Sequence, residues 1–117
     1  MNVNGTNLEM IRGDTEVLTV SCVNSEGEPI NFETGDKVYF TVKESVTSTL
    51  IIFQKIITEF VEGKAIITIL PEDTKNLKFK PYVYDVQLTQ ADGTVTTIVP
   101  PSSFELHPLQ LNEKYSQ

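Results

Sequence analysis

His107 and Cys22 are the only histidine and the only cysteine of the chain, so a Ser/His/Asp or Cys/His catalytic unit would have to use His107. A catalytic base and its nucleophile must be held within hydrogen-bond reach, yet His107 stands beside Pro108 close to the C-terminal tail. No G-x-S-x-G, H-E-x-x-H or Walker-type glycine loop accompanies it. His107 therefore reads as a surface residue, and no enzymatic activity is expected. A lone Cys22 builds neither an internal disulfide framework nor a multi-cysteine zinc site, and it reads as a small buried hydrophobe. Glu26, Glu28, Glu33 and Asp36 lie in polar connections without the D-x-[DN]-x-[DN]-G ladder of a calcium loop. They read as a solvated acidic surface, the alternative being a calcium ion held by several loop ends. Arg12-Gly13-Asp14 spells a cell-adhesion tripeptide, but it falls between two predicted strands, where Gly-Asp simply turns the chain. Asn4-Gly5-Thr6 matches the glycosylation pattern and, without a secretory signal, reads as idle. No catalytic, cofactor-binding or metal-binding residue is expected.

The 117 residues carry 9 basic and 16 acidic side chains, a formal charge of −7. With no Lys/Arg cluster, that balance argues against binding phosphate backbones, so nucleic acid is not an expected partner. The length suits one core and one domain. The longest apolar run, Leu50 to Phe53, is far too short to span a bilayer, and MNVNGTNLEMIRGD lacks the basic and apolar regions of a signal peptide. A soluble, unprocessed chain without a membrane partner is expected.

Short alternating runs rich in β-branched residues, separated by Gly, Pro, Asn and Asp, predict an all-β chain. Strands are expected at Leu8–Arg12, Glu16–Val23, Lys37–Glu44, Leu50–Ile57, Lys64–Leu70, Tyr82–Thr89, Thr94–Val99 and Ser103–His107. Val38, Phe40 and Val42 share an inward face, as do Tyr82, Tyr84, Val86 and Leu88. Pro71-Glu72-Asp73-Thr74 predicts a helical turn closing near Leu77, with proline at a favoured first position and acids at the positive helix end. Asp92-Gly93 predicts a two-residue hairpin, and Pro100-Pro101 an interruption of the ladder. Seven to eight strands at this spacing predict a two-sheet antiparallel sandwich over residues 8–107. Residues 1–7 and 108–117 are expected to be flexible. Leu50, Ile51, Ile52 and Phe53 place apolar groups on both faces of one strand, so one face must be covered by a loop of the same chain or by another protein. Ile51, Phe53 and Tyr39 are the candidate contact residues.

Taken in order, I-R-G-D-T at Ile11–Thr15, then G-E-P-I-N-F, K-V-Y-F-T-V-K, G-K-A-I-I-T-I-L-P-E-D-T-K-N-L, Y-V-Y-D-V-Q-L and A-D-G-T-V-T-T-I-V form a series. It resembles the immunoglobulin-like N-terminal domain family of phage baseplate upper proteins and related tail components, over about Leu8 to Leu106. The resemblance implies a non-enzymatic structural module of a virion or prophage, made in the bacterial host cytoplasm and assembled into the tail or baseplate. Its implied partners are other tail or baseplate proteins, with self-association possible, and it needs no cofactor. Within such a scaffold Asp73, Thr74 and Leu77 would form the corner before the next strand, and Tyr82 would hang a tyrosine-corner hydrogen bond there. Longer family members continue into a stalk or receptor-binding part where this sequence ends in LHPLQLNEKYSQ. The competing reading is a surface module that binds carbohydrate through Tyr39 and Phe60.

Overall fold

Alternation of side chains along short β-rich runs fixes which residues turn inward, and in the computed structural model, which describes residues 2–4 and 6–108, those runs become strands. Among the described residues the order is β1 (Asn2–Asn4), β2 (Asn7–Ile11), β3 (Glu16–Val20), β4 (Cys22–Val23), β5 (Pro29–Ile30), β6 (Lys37–Lys43), β7 (Ile51–Ile57) and β8 (Ala65–Ile69). The helical turn α1 (Pro71–Thr74), β9 (Pro81–Thr89) and β10 (Val95–His107) complete it. One large sheet runs β1-β2-β10-β9-β6-β7, while β3 pairs with β8 and β4 with β5. All pairings are antiparallel except β2 with β10, where Phe104 stands opposite Leu8 and Leu106 opposite Met10. The fold is thus an all-β, sandwich-like one, but lopsided, six strands against the β3–β8 ladder.

The core lies between these layers. Val38, Phe40 and Val42 from β6, Tyr82, Tyr84, Val86 and Leu88 from β9, and Phe104 and Leu106 from β10 face Ala65, Ile67 and Ile69 of β8. Each such side chain contributes about 1.5–3 kcal/mol when fully buried. At the centre Phe40 stacks on Tyr84 at 5.2 Å and meets Phe104 edge-on at 6.3 Å. Burial holds the Tyr84 phenol above its ordinary pKa, and its hydroxyl donates to the carbonyl of Thr6.

Several expectations are corrected by the geometry. The segment before Leu8, expected to be loose, carries β1, paired antiparallel with β2. The single strand expected over 16–23 breaks at Ser21, because its two parts pair with different partners. The two-residue hairpin belongs at Glu62-Gly63 rather than Asp92-Gly93. Glu62 and Gly63 both have positive φ, 52° and 75°, and Val61 and Lys64 exchange both backbone bonds, the pattern of a type I′ turn. At the other hairpin only Gly93 is left-handed, and Gln90 N–H bonds Thr94 C=O across three loop residues. Pro100 and Pro101 do not end the last strand. They are accommodated by register shifts between Thr97 and Ser102, which let residues without N–H groups sit outside the ladder. The expected tail falls almost wholly outside the described residues. Among the described residues no helix is long and apolar enough to cross a membrane.

Candidate protein-contact surface

Strand β7 is one edge of the large sheet, so among the described residues one side of its backbone has no partner strand. Its register against β6 sets Phe53 opposite Val42, Lys55 opposite Phe40 and Ile57 opposite Val38, all on the inward face. A bulge follows. Lys43 stands opposite Ile51, which leaves Ile52 as the extra residue and turns Ile51 away from the core. Ile51 and Phe53, both named as contact candidates, therefore do not share a face. Phe53 packs on Phe40 and Phe104, each at 6.2 Å, and Ile52 also leans on the core. The bulge thus accounts for two of the apolar residues that the alternation could not place.

Outward, Tyr39 stands opposite Ile56 and beside Gln87. Ile51 and Ile56 are each about half exposed, and the connection leading into β7 adds Val46 and Leu50, exposed by 64% and 74%. Thr41, also outward, is nevertheless buried, capped by the amide of Gln54 at 2.9 Å. The outer side of β6–β7 accordingly presents exposed aliphatic groups along a sheet edge that is unpaired among the described residues.

The corner residues are brought together. Asp73 accepts the N–H of Leu70 at 2.7 Å, which satisfies a donor at the start of α1. The same carboxylate pairs with Lys55 at 2.7 Å, an interaction that ties the sheet edge to the turn and that no local pattern announced. Thr74, fully buried, accepts the N–H of Gly13 at 2.9 Å. Arg12 donates to the carbonyl of Leu77 at 2.9 Å and lies 3.9 Å over the ring of Phe79. The R-G-D-T segment is therefore clamped on the P-E-D-T-x-x-L corner, and its arginine is not a free adhesion group. Tyr82 completes the corner: its hydroxyl accepts the N–H of Lys78 at 3.0 Å and donates to the C=O of the same residue at 3.1 Å. Tyr82→Phe keeps the ring and loses both bonds, and is expected to cost about 1–3 kcal/mol in a urea titration with an unchanged m-value.

Other candidates resolve into structure. Asn24 accepts the N–H groups of Glu26 and Glu28, and Asp36 accepts those of Glu33 and Ala91, so the acidic loops are organised by their own backbone. The carboxyl of Asp92 sits below its ordinary pKa because it accepts the N–H of Thr94. Cys22 is half-buried. Phe60 packs on buried Phe32 at 5.3 Å in an open groove lined also by Glu33, Thr34, Thr58 and Glu59, whereas Tyr39 lies on the outer sheet face. The two aromatics do not form one platform. His107 is not an isolated surface residue: its Nε2 lies 3.0 Å from the carboxylate of Glu9, a partner 98 positions away.

The architecture and its corner define an all-β sandwich-like fold with exposed aliphatic groups on the outer face of its large sheet. No protein-family model matches the chain, and no curated protein matches it.

Proposed function

We propose that this chain is a non-enzymatic assembly module, a structural component of a phage or prophage tail or baseplate that docks on another protein through the outer face of β6–β7. The observation that carries this reading is the edge at β7, unpaired among the described residues, with Ile56 half exposed opposite Tyr39 and Ile51 half exposed opposite Lys43. Exposed aliphatic groups on a sheet face are costly in water and gain when a second apolar surface covers them. The unpaired backbone edge adds a row of hydrogen-bonding groups that can align the incoming chain. Phage membership rests on the motif series and its resemblance to baseplate and tail domains. The contacts that join the R-G-D-T segment to the P-E-D-T-x-x-L corner support a scaffold role for the two motifs. Symmetric copies would multiply weak individual contacts.

The substitution that tests the surface is Ile56→Asp, since Phe53→Asp would place a carboxylate among core rings. Light scattering after size exclusion, over about a hundredfold range of concentration, is expected to show self-association that Ile56→Asp abolishes without lowering the melting temperature. If the chain is monomeric throughout, capture of co-expressed tail proteins is expected instead, again lost in Ile56→Asp. Neither self-association nor capture, or both unaffected by the substitution, would overturn the proposal.

A further inference from the structure

The parallel register of β2 and β10 sets Glu9 directly opposite Glu105, and His107 follows Glu105 by two residues. Side chains alternate along a strand, so these three project from the outer face of the large sheet, while Leu8, Met10, Phe104 and Leu106 take the inner one. One nitrogen and two carboxylate oxygens from this trio all lie within 4.8 Å of one another, and His107 Nε2 is 3.0 Å from Glu9 Oε1. Zinc bonds of about 2.0–2.2 Å at tetrahedral angles place ligand atoms about 3.4 Å apart. Closing from at most 4.8 Å to that spacing takes a carboxylate movement of up to about 1.4 Å, within reach of a side-chain rotation.

Charge balance points the same way. Two carboxylates opposite each other on neighbouring strands repel. Among the described residues neither is in an ion pair with lysine or arginine, and Arg12, close by in sequence, directs its guanidinium to Leu77 and Phe79. His107 offers at most one positive charge. A doubly charged ion at this point neutralises both carboxylates and uses the imidazole as its nitrogen ligand.

We propose that Glu9, Glu105 and His107 form a binding site for a divalent first-row transition-metal ion, represented by Zn²⁺, with three protein ligands and a fourth position open to solvent. An imidazole with carboxylates suits that class of ion. Bound there, the ion bridges β2 to β10 on the flank of the sheet opposite β7, so the proposal stands independently of the protein-contact surface.

The test uses the full chain stripped with a chelator and titrated with zinc chloride by calorimetry, with melting curves recorded in parallel. One ion per chain and a raised melting temperature are expected, since a ligand bound only by the folded state stabilises it. His107→Gln and Glu105→Gln should each weaken binding by about tenfold or more and remove the thermal gain. Glu105→Gln also removes the like-charge contact, so its metal-free form should melt no lower than the parent chain, which separates lost ligation from lost folding. Cobalt substituted for zinc should give visible absorption bands that disappear in His107→Gln. Absence of saturable uptake, or uptake and thermal gain that persist in both variants, would overturn the site.

Discussion

Phe104→Ala is expected to lower the unfolding free energy by about 3–5 kcal/mol, the range for deleting a buried phenylalanine that its neighbours cannot replace. Phe104 is fully buried and stands opposite both Leu8 of β2 and Tyr82 of β9. Its ring meets those of Phe40, Phe53 and Tyr84 edge-on, with centroids at 6.2 to 6.4 Å. Those rings are held by their own strands and by each other, and Tyr84 is held at its hydroxyl too, so collapse into the vacated volume is limited. Since whole-domain stability is about 5–15 kcal/mol, the loss is a large share of it. Urea unfolding should show a lower midpoint with the slope retained. A loss below about 1 kcal/mol would mean that the sheet layers close up around the missing ring.

Asp36→Ala is expected to cost about 2–4 kcal/mol, since each hydrogen bond to a charged group is worth roughly 1.5–3 kcal/mol and one of the two here is long. One carboxylate oxygen accepts the N–H of Glu33 at 2.9 Å and the other accepts that of Ala91 at 3.3 Å. The side chain is mostly buried, so alanine would leave both donors without the acceptor they have. It also joins two connections far apart in sequence, the turn before β6 and the β9–β10 hairpin, where a Cβ on Gly35 would come within 2.9 Å of the Ala91 side chain. Faster amide exchange at Glu33 and Ala91 should accompany the loss. Asp36→Asn keeps one acceptor and should fall between the two.

Strand positions, inward faces and the helical turn were legible because they depend on local alternation and on proline and acid placement. Val38, Phe40, Val42 and the Tyr82-to-Leu88 face are buried as that alternation requires. The corner was legible as well, since a tyrosine bonding four residues back is a short-range device. Features set by pairing were not. The bulge at Ile52 depends on which residue of β6 lies opposite, and without it Ile51 and Phe53 would indeed share a face. Gly63 and Gly93 each end a turn, yet only the backbone exchange at Val61 and Lys64 shows which hairpin is the tight one. The Glu9–Glu105–His107 trio exists because β2 and β10 run parallel, and no spacing within either strand reveals it. The sole sign was that all three occupy polar positions in otherwise alternating runs.

The same parallel pairing has a kinetic side. Residues 8–11 find their parallel sheet partner at residues 104–107, 96 positions further along, so the β2–β10 ladder cannot form until β10 has been made. The Arg12 and Gly13 contacts with the corner, more than sixty residues ahead, close a shorter loop first. Contacts of such long sequence separation slow folding, and this chain belongs with β-proteins that fold in milliseconds to seconds rather than microseconds. Until β10 has been made, the edges of β2 and β9 that pair with it are left open, the interval in which a nascent copy is most open to pairing with its neighbour.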